Sequence, residues 1–172
     1  MQIAVVGGGV CSPEACETAR QLGWLLARQG HILLSGGRGG VMEAACRGAH
    51  EGGGVAIGIL PGEREEANSF VDISIVTGMG QARNAVIVKS ADVVIALPSE
   101  MGTLSEMALA LKMNRPLISL GSWELPGALA AKSREEAVEL LEKMKQKCDA
   151  AGEQGPMPEN KKMLSGGEKL KE

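Results

Sequence analysis

The chain has 172 residues, 44% of them hydrophobic and 23% charged, which is the size and composition of one globular domain. Its net charge is -3 and only 2% of its residues are aromatic, which argues against a nucleic-acid partner, because such proteins use basic surfaces and stacking aromatic side chains. No apolar run reaches the length of a membrane span, so we predict no membrane partner.

The four cysteines form no C-x-x-C pair and only two histidines are present, so we predict no metal site. We expect a cytoplasmic protein with free thiols, in which Cys16 and Cys46 belong to the core.

Short apolar runs rich in β-branched residues alternate with helical patterns along the chain. In chain order the predicted elements are strand 3–6, helix 13–28, strand 32–34, helix 41–50, strand 55–60, strand 71–76, helix 81–89, strand 92–97, helix 103–113, strand 116–120 and helix 133–147. This alternation predicts a Rossmann-like, doubly wound α/β domain, with a mostly parallel sheet of about six or seven strands and helices on both faces. We predict that residues 1–148 form this single domain and that residues 149–172 form a polar C-terminal tail.

Three glycine-bearing loops follow strands at the edge of the sheet where open α/β proteins bind their ligands. Each loop runs into a helix start, whose free N–H groups attract anions and above all phosphate. Any one of these loops could be no more than a tight turn, but three at one edge favour a phosphate site. The predicted phosphate-binding residues are Gly8, Gly9, Gly36, Gly37, Arg38, Gly39, Gly40, Gly102 and Thr103.

The common nucleotide-binding motifs do not fit these loops. A dinucleotide fingerprint needs a third glycine where Ser12 stands, and a Walker A loop needs a Gly-Lys-Ser/Thr sequence that the chain lacks. The sequence Leu-Ser-Gly-Gly-Glu at 164–168 looks like the signature of transporter ATPases. We attribute it to chance, because it lies in the polar tail and no Walker A loop accompanies it.

Three segments together resemble the LOG-type family, whose members were once labelled possible lysine decarboxylases. They are Gly-Gly-Arg-Gly-Gly-Val-Met-Glu-Ala-Ala at 36–45, Gln-Ala-Arg-Asn at 81–84, and Pro98-x-x-x-Gly102-Thr103-x-x-Glu106. The likeness in layout covers about residues 1–145. The family shares a Rossmann-like superfamily with the molybdenum cofactor carrier proteins and, more distantly, with the DprA DNA-processing proteins.

The resemblance implies a site for a nucleoside 5′-monophosphate or a nucleotide-like pterin cofactor, and it leaves two functions open. LOG enzymes hydrolyse the N-glycosidic bond of such a nucleotide, and their arginine and glutamate correspond to Arg83 and Glu106. The carrier proteins hold molybdenum cofactor without transforming it, and Arg83 followed by Asn84 is more similar to them. The resemblance implies that no cofactor is required for either function. The candidate ligands that it implies are a nucleotide and molybdenum cofactor. The family also implies a homodimer or homotetramer.

Glu106 has a structural interpretation beside the functional one. The sequence Thr103-Leu104-Ser105-Glu106 fits a capping box, in which Thr103 caps the helix and Glu106 bonds back to the threonine backbone. In the hydrolase, Glu106 would activate water or stabilise the cation that develops at ribose C1′. Arg83 would hold the phosphate or orient Glu106.

The chain departs from the family pattern at Ser99 and Glu100, where LOG enzymes have two glycines. Side chains at these positions limit how closely the backbone approaches a phosphate, and the Glu100 carboxylate would repel one. We therefore predict that this loop alters the ligand or the chemistry. The further possible ligand contacts are Cys11, Asn84, Ser99, Glu100 and Met101.

Overall fold

The computed structural model describes residues 1–99 and 101–152 of the chain. Its strands are β1 (Gln2–Val6), β2 (Ile32–Ser35), β3 (Ala56–Leu60), β4 (Ile73–Val76), β5 (Val93–Ala96), β6 (Leu117–Leu120) and β7 (Leu129–Ala131). Its helices are α1 (Pro13–Arg28), α2 (Val41–Glu51), α3 (Asn84–Ser90), α4 (Met101–Lys112) and α5 (Arg134–Gly152), with 3₁₀ turns at Arg64–Glu66 and Gly80–Arg83. In this part of the chain the strands form one sheet in the order β4-β3-β2-β1-β5-β6-β7.

Every neighbouring pair of strands is parallel, and helices cover both faces of the sheet. On one face, side chains such as Leu22 of α1 and Leu141 of α5 pack on the sheet, and on the other face Ile87 of α3 and Met107 of α4 do so. The central strands β1 and β5 are almost wholly buried, as the continuous apolar runs indicate. The predicted Rossmann-like, doubly wound α/β fold is confirmed. No helix in the described ranges is long and apolar enough to cross a membrane.

Some boundaries differ from those predicted. The helix predicted at 81–89 is a 3₁₀ turn followed by α3, which starts only at Asn84. Strand β7 was not predicted, because it has only three residues and the first two are exposed. The last helix continues to Gly152, so the first residues of the predicted tail are helical. Residues 153–172 lie outside the described residues, and the rest of the tail prediction stays a prediction.

Helices α1 and α2 cross so closely that glycine is required at the crossing. A Cβ added at Gly48 of α2 would overlap the backbone carbonyl of Arg20, and one added at Gly23 of α1 would overlap that of Ala45. Backbone atoms cannot rotate away as a side chain can. The two helices would therefore have to move apart to accept even an alanine.

We expect Gly48→Ala to lower the free energy of unfolding by about 3 kcal/mol, because the substitution overpacks this crossing. Urea unfolding of the variant and the wild type measures the change. Gly102→Ala is the matched control, since Gly102 is also helical but a Cβ added there meets no atom of the described residues within 4 Å. A Gly48→Ala variant as stable as that control would contradict the interpretation.

The prediction of free thiols is wrong for Cys11 and Cys16, which form a disulfide. Ser12 caps α1 and Pro13 begins it, so Cys11 precedes the cap and Cys16 lies in the first turn. These two positions face each other at a helix start, where apolar residues often pack together, and here the Cα atoms are 5.7 Å apart. The sequence argument considered only C-x-x-C spacing and missed this pairing. Cys46 is a free cysteine in the core, as predicted.

Candidate functional site

A cavity of about 560 Å³ lies where the strand order of the sheet reverses. The chain builds the sheet outward from β1 to β4 on one side and then from β5 to β7 on the other. The loops that leave the carboxyl ends of β1 and β5 therefore diverge, and the crevice between them is where open α/β sheets bind ligands. Residues from the loops after β1, β2 and β5, and from the start of α3, line this cavity.

Ten of the predicted site residues line the cavity, and they come from four separate segments. They are Gly8, Gly9, Arg38, Gly39, Arg83, Asn84, Ser99, Gly102, Thr103 and Glu106. The predicted residues that do not line it are Cys11, Gly36, Gly37, Gly40 and Met101. Glu100 lies outside the described residues.

The predicted glycines that do not line the cavity hold its walls together instead. Gly40 packs against the backbone of Gly8 and Gly9, and the next residue, Val41, donates its N–H to the Gly8 carbonyl over 3.0 Å. The Gly36 carbonyl accepts a 3.5 Å hydrogen bond from Arg83 Nη2. These contacts fix the loop after β2 against the loop after β1 and against the 3₁₀ turn that ends at Arg83.

Sequence analysis missed four lining residues, which are Gly7, Val10, Met42 and Gln81. Gly7 and Val10 adjoin predicted positions in the same loop, so their inclusion needed only a longer segment. Gln81 belongs to the 3₁₀ turn that ends at Arg83. Met42 belongs to the family motif at 36–45, but its place in the cavity wall depends on how the first turn of α2 packs.

Arg83 is a buried arginine, only 7% exposed, in the wall of the cavity. It joins the 3₁₀ turn to α3, and its Nη1 donates a 2.8 Å hydrogen bond to Asn84 Oδ1. Its Nε has no hydrogen-bond partner in the part of the chain that the structure describes. Burial lowers the pKa of Arg83 from its ordinary value, and the nearby Glu106 carboxyl opposes that shift.

A short series of hydrogen bonds links Arg83 to the first turn of α4. Asn84, which accepts from Arg83, donates through Nδ2 to Ser105 Oγ over 3.3 Å. Ser105 Oγ in turn donates to the Gly102 carbonyl over 2.6 Å. The guanidinium and the first turn of α4 are therefore held in one arrangement in the cavity wall.

The predicted capping box at Thr103 is wrong. Helix α4 already begins at Met101, so Thr103 lies inside its first turn and cannot be its cap. Thr103 Oγ1 is buried and has no hydrogen-bond partner within the described residues. The side chain of Glu106 instead lines the cavity, with Oε1 3.6 Å from Arg83 Nη1.

Glu106 is only 6% exposed, and this burial dominates its titration. Burial raises the pKa of the Glu106 carboxyl to about 7, and the attraction of Arg83 opposes the shift only in part. A carboxyl with this pKa exchanges its proton near neutral pH, as a general acid or base must. The cavity thus offers a buried cation, a proton-exchanging carboxyl and the backbone of glycine loops.

The model of the SLOG cluster4 family matches residues 1–149. The chain belongs to the SLOG cluster4 family. Among solved structures, this SLOG cluster4 protein is similar to the molybdenum cofactor binding protein of Rippkaea orientalis, at 42% identity over 84% of this chain and 96% of that one, with a TM-score of 0.80. It is also similar to the molybdenum cofactor carrier protein of Chlamydomonas reinhardtii, at 35% identity over 84% of this chain and 98% of that one, with a TM-score of 0.79.

The SLOG cluster4 protein also matches a cytokinin riboside 5′-monophosphate phosphoribohydrolase of Mycobacterium marinum. The identity is 33% over 99 residues, which is 55% of this chain and 53% of that relative. The chain therefore matches only about half the length of this enzyme. A likeness to DNA processing protein A of Streptococcus pneumoniae, at 20% identity over 80% of this chain and 60% of that one, with a TM-score of 0.66, shows the shared fold alone. The resemblance found in the sequence is confirmed.

Proposed function

We propose that the cavity binds a phosphate-bearing, nucleotide-like small molecule and that the protein carries this molecule unchanged. The proposal rests on two buried polar atoms in residues of the cavity wall, Arg83 Nε and Thr103 Oγ1. Neither atom has a hydrogen-bond partner among the described residues. A buried polar atom without a partner costs about 1–3 kcal/mol. Phosphate oxygens accept hydrogen bonds from both groups, and Arg83 also supplies the opposite charge.

Molybdenum cofactor is the candidate cargo, because two similar solved structures are described as its binding and carrier proteins. Their likeness extends over nearly their whole length. Of the residues present, Arg83, Thr103 and the N–H groups of Gly8 and Gly9 would hold its phosphate. The size of the cavity and its several glycine loops fit a ligand of nucleotide dimensions.

Hydrolysis of a nucleoside 5′-monophosphate is the second candidate function, and Glu106 favours it. A carboxyl whose pKa is about 7, beside an arginine in the same cavity, suits the activation of water or the stabilisation of a cation at ribose C1′. In this reaction water adds to C1′, the bond from C1′ to the base nitrogen breaks, and the base leaves with a proton. Arg83 would hold the 5′-phosphate and orient the Glu106 carboxyl.

We expect AMP or GMP to raise the melting temperature of the protein by roughly 5–10 °C at a hundred times the dissociation constant. Adenosine should raise it much less, because the proposed contacts are made to phosphate. Differential scanning fluorimetry measures both shifts. Arg83→Ala should abolish the difference between AMP and adenosine, whereas Arg28→Ala on the outer face of α1 serves as the control. Equal shifts for AMP and adenosine in the wild type would refute the phosphate site.

The homodimer or homotetramer and the cytoplasmic location implied by the sequence analysis stay predictions. Native mass spectrometry of freshly purified protein tests the assembly, and it also reports any ligand that purifies with the chain.

A further inference from the structure

Arg38 is a second cation on the same cavity, and its surroundings differ from those of Arg83. Its side chain is 52% exposed and lies in the glycine loop after β2, in the wall of the cavity. Its Nε is 3.5 Å from Oε2 of Glu66, a carboxylate that does not itself line the cavity. Ion pairs as exposed as this one are weak and exchange readily for other partners.

Local contacts hold the Glu66 carboxylate in place for this pairing. Its Oε1 accepts a 3.0 Å hydrogen bond from the backbone N–H of Glu63. The same oxygen lies so close over Gly62 that a Cβ there would overlap it. With one oxygen held by the backbone, the other oxygen faces Arg38.

The backbone of Arg38 is fixed as well. Asn68 Nδ2 donates to the carbonyls of Gly37 and Arg38 over 3.0 Å and 2.9 Å, and the Asn68 N–H donates to the Gly37 carbonyl over 2.8 Å. The loop that carries Glu66 is therefore fastened to the loop that carries Arg38. Only the end of the arginine side chain is free to change its partner.

The two arginines of the cavity differ in their carboxylate partners. Arg83 and Arg38 are its cations, and Glu106 is the only carboxylate among the described lining residues. One phosphate on Arg83 leaves Arg38 paired with a carboxylate outside the cavity. A ligand that carries a further anionic group could pair with Arg38 in place of Glu66.

We propose that Arg38 is a second anion subsite, that the ligand carries an anionic group beyond its first phosphate, as a nucleoside diphosphate does, and that Glu66 competes with that group for Arg38. This inference rests on the proposed phosphate site at Arg83. Within the proposed carrier function, it narrows the ligand class from nucleotides in general to those with two anionic groups. Glu66 then weakens the binding of every ligand that uses the second subsite, and leaves ligands with one phosphate unaffected.

The test compares the dissociation constants of AMP and ADP by isothermal titration calorimetry, with adenosine as the reference. In the wild type we expect ADP to bind about tenfold more tightly than AMP, and in Arg38→Ala we expect that ratio to fall to about one. Glu66→Gln should tighten ADP binding about threefold by removing the competing charge. Gly62→Ala should act in the same direction, since it displaces the Glu66 carboxylate without changing any charge.

Glu65→Gln is the matched control, because it removes a charge from the same turn at a residue that makes no ion pair in the described structure. Two results would overturn the inference alone. The first is that the wild type binds AMP more tightly than adenosine but binds ADP no more tightly than AMP. The second is that Glu66→Gln and Glu65→Gln have the same dissociation constant for ADP. If neither nucleotide binds more tightly than adenosine, the proposed phosphate site fails and the second subsite fails with it.

Discussion

If the protein hydrolyses nucleoside monophosphates, replacing Glu106 with glutamine should slow the release of free base and ribose 5-phosphate from AMP by roughly two to four orders of magnitude, the usual scale of acid–base catalysis. Glutamine keeps the size of the side chain but cannot exchange a proton or carry a charge. AMP binding should be largely kept, because the phosphate contacts belong to Arg83 and the glycine loops. The assay measures base release from a panel of nucleoside monophosphates with the wild type and Glu106→Gln.

The same assay decides between the two candidate functions. A wild type that binds AMP but shows no turnover on any monophosphate leaves carriage as the function. Turnover that persists undiminished in Glu106→Gln means that the protein is an enzyme and that Glu106 is not its catalytic residue. Glu65→Gln, which removes an exposed carboxylate that does not line the cavity, is the control for a general effect of charge.

The stability of the fold is expected to fall as the pH rises from about 4.5 to about 7, through the titration of Glu106. Its pKa is raised from 4.5 to about 7 in the folded protein, so within this interval the folded state holds a proton that the unfolded state has lost. Stability falls with rising pH wherever the folded state binds more protons. The raised pKa corresponds to a contribution of about 3 kcal/mol to the free energy of unfolding. This contribution is present in full below pH 4.5 and is lost above pH 7.

Urea unfolding at several pH values, with the wild type beside Glu106→Gln, measures this effect. The variant cannot titrate at this position, so the free energy of unfolding of the wild type minus that of the variant should decrease by about 3 kcal/mol between pH 4.5 and 7.5. A difference that stays constant, or that increases with pH, would show that Arg83 keeps Glu106 ionised in the folded protein. The measurement requires no ligand and is independent of the proposed function.

Much of the fold could be predicted because apolar strand and helix patterns alternate along the chain. Parallel strands bring their carboxyl ends to one edge of the sheet. The topology alone therefore predicted that Gly8, Gly39 and Gly102 lie at the same site. The burial of Arg83 and Glu106 and their 3.6 Å approach could not be predicted, because they depend on how α3 and α4 pack on the sheet. Sequence distance gives no measure of that packing.

The errors of sequence analysis also have physical causes. Thr103 and Glu106 fit a capping box by spacing, but the helix starts two residues earlier, so Thr103 lies inside it and both residues line the cavity. Cys11 and Cys16 pair because Ser12 and Pro13 begin a helix between them. In both places the exact first residue of a helix decides the outcome, and patterns of apolar residues locate that residue only approximately.

The strand order has a consequence for how the ligand site and the fold depend on each other. The cavity takes residues from Gly7 to Glu106, from loops on both sides of β1. A partly folded chain in which β5 has not joined β1 contains only fragments of the site and gains nothing from the ligand. Binding then stabilises the joined sheet alone, so that amide hydrogens of β1 and β5 exchange with solvent only after the ligand has left.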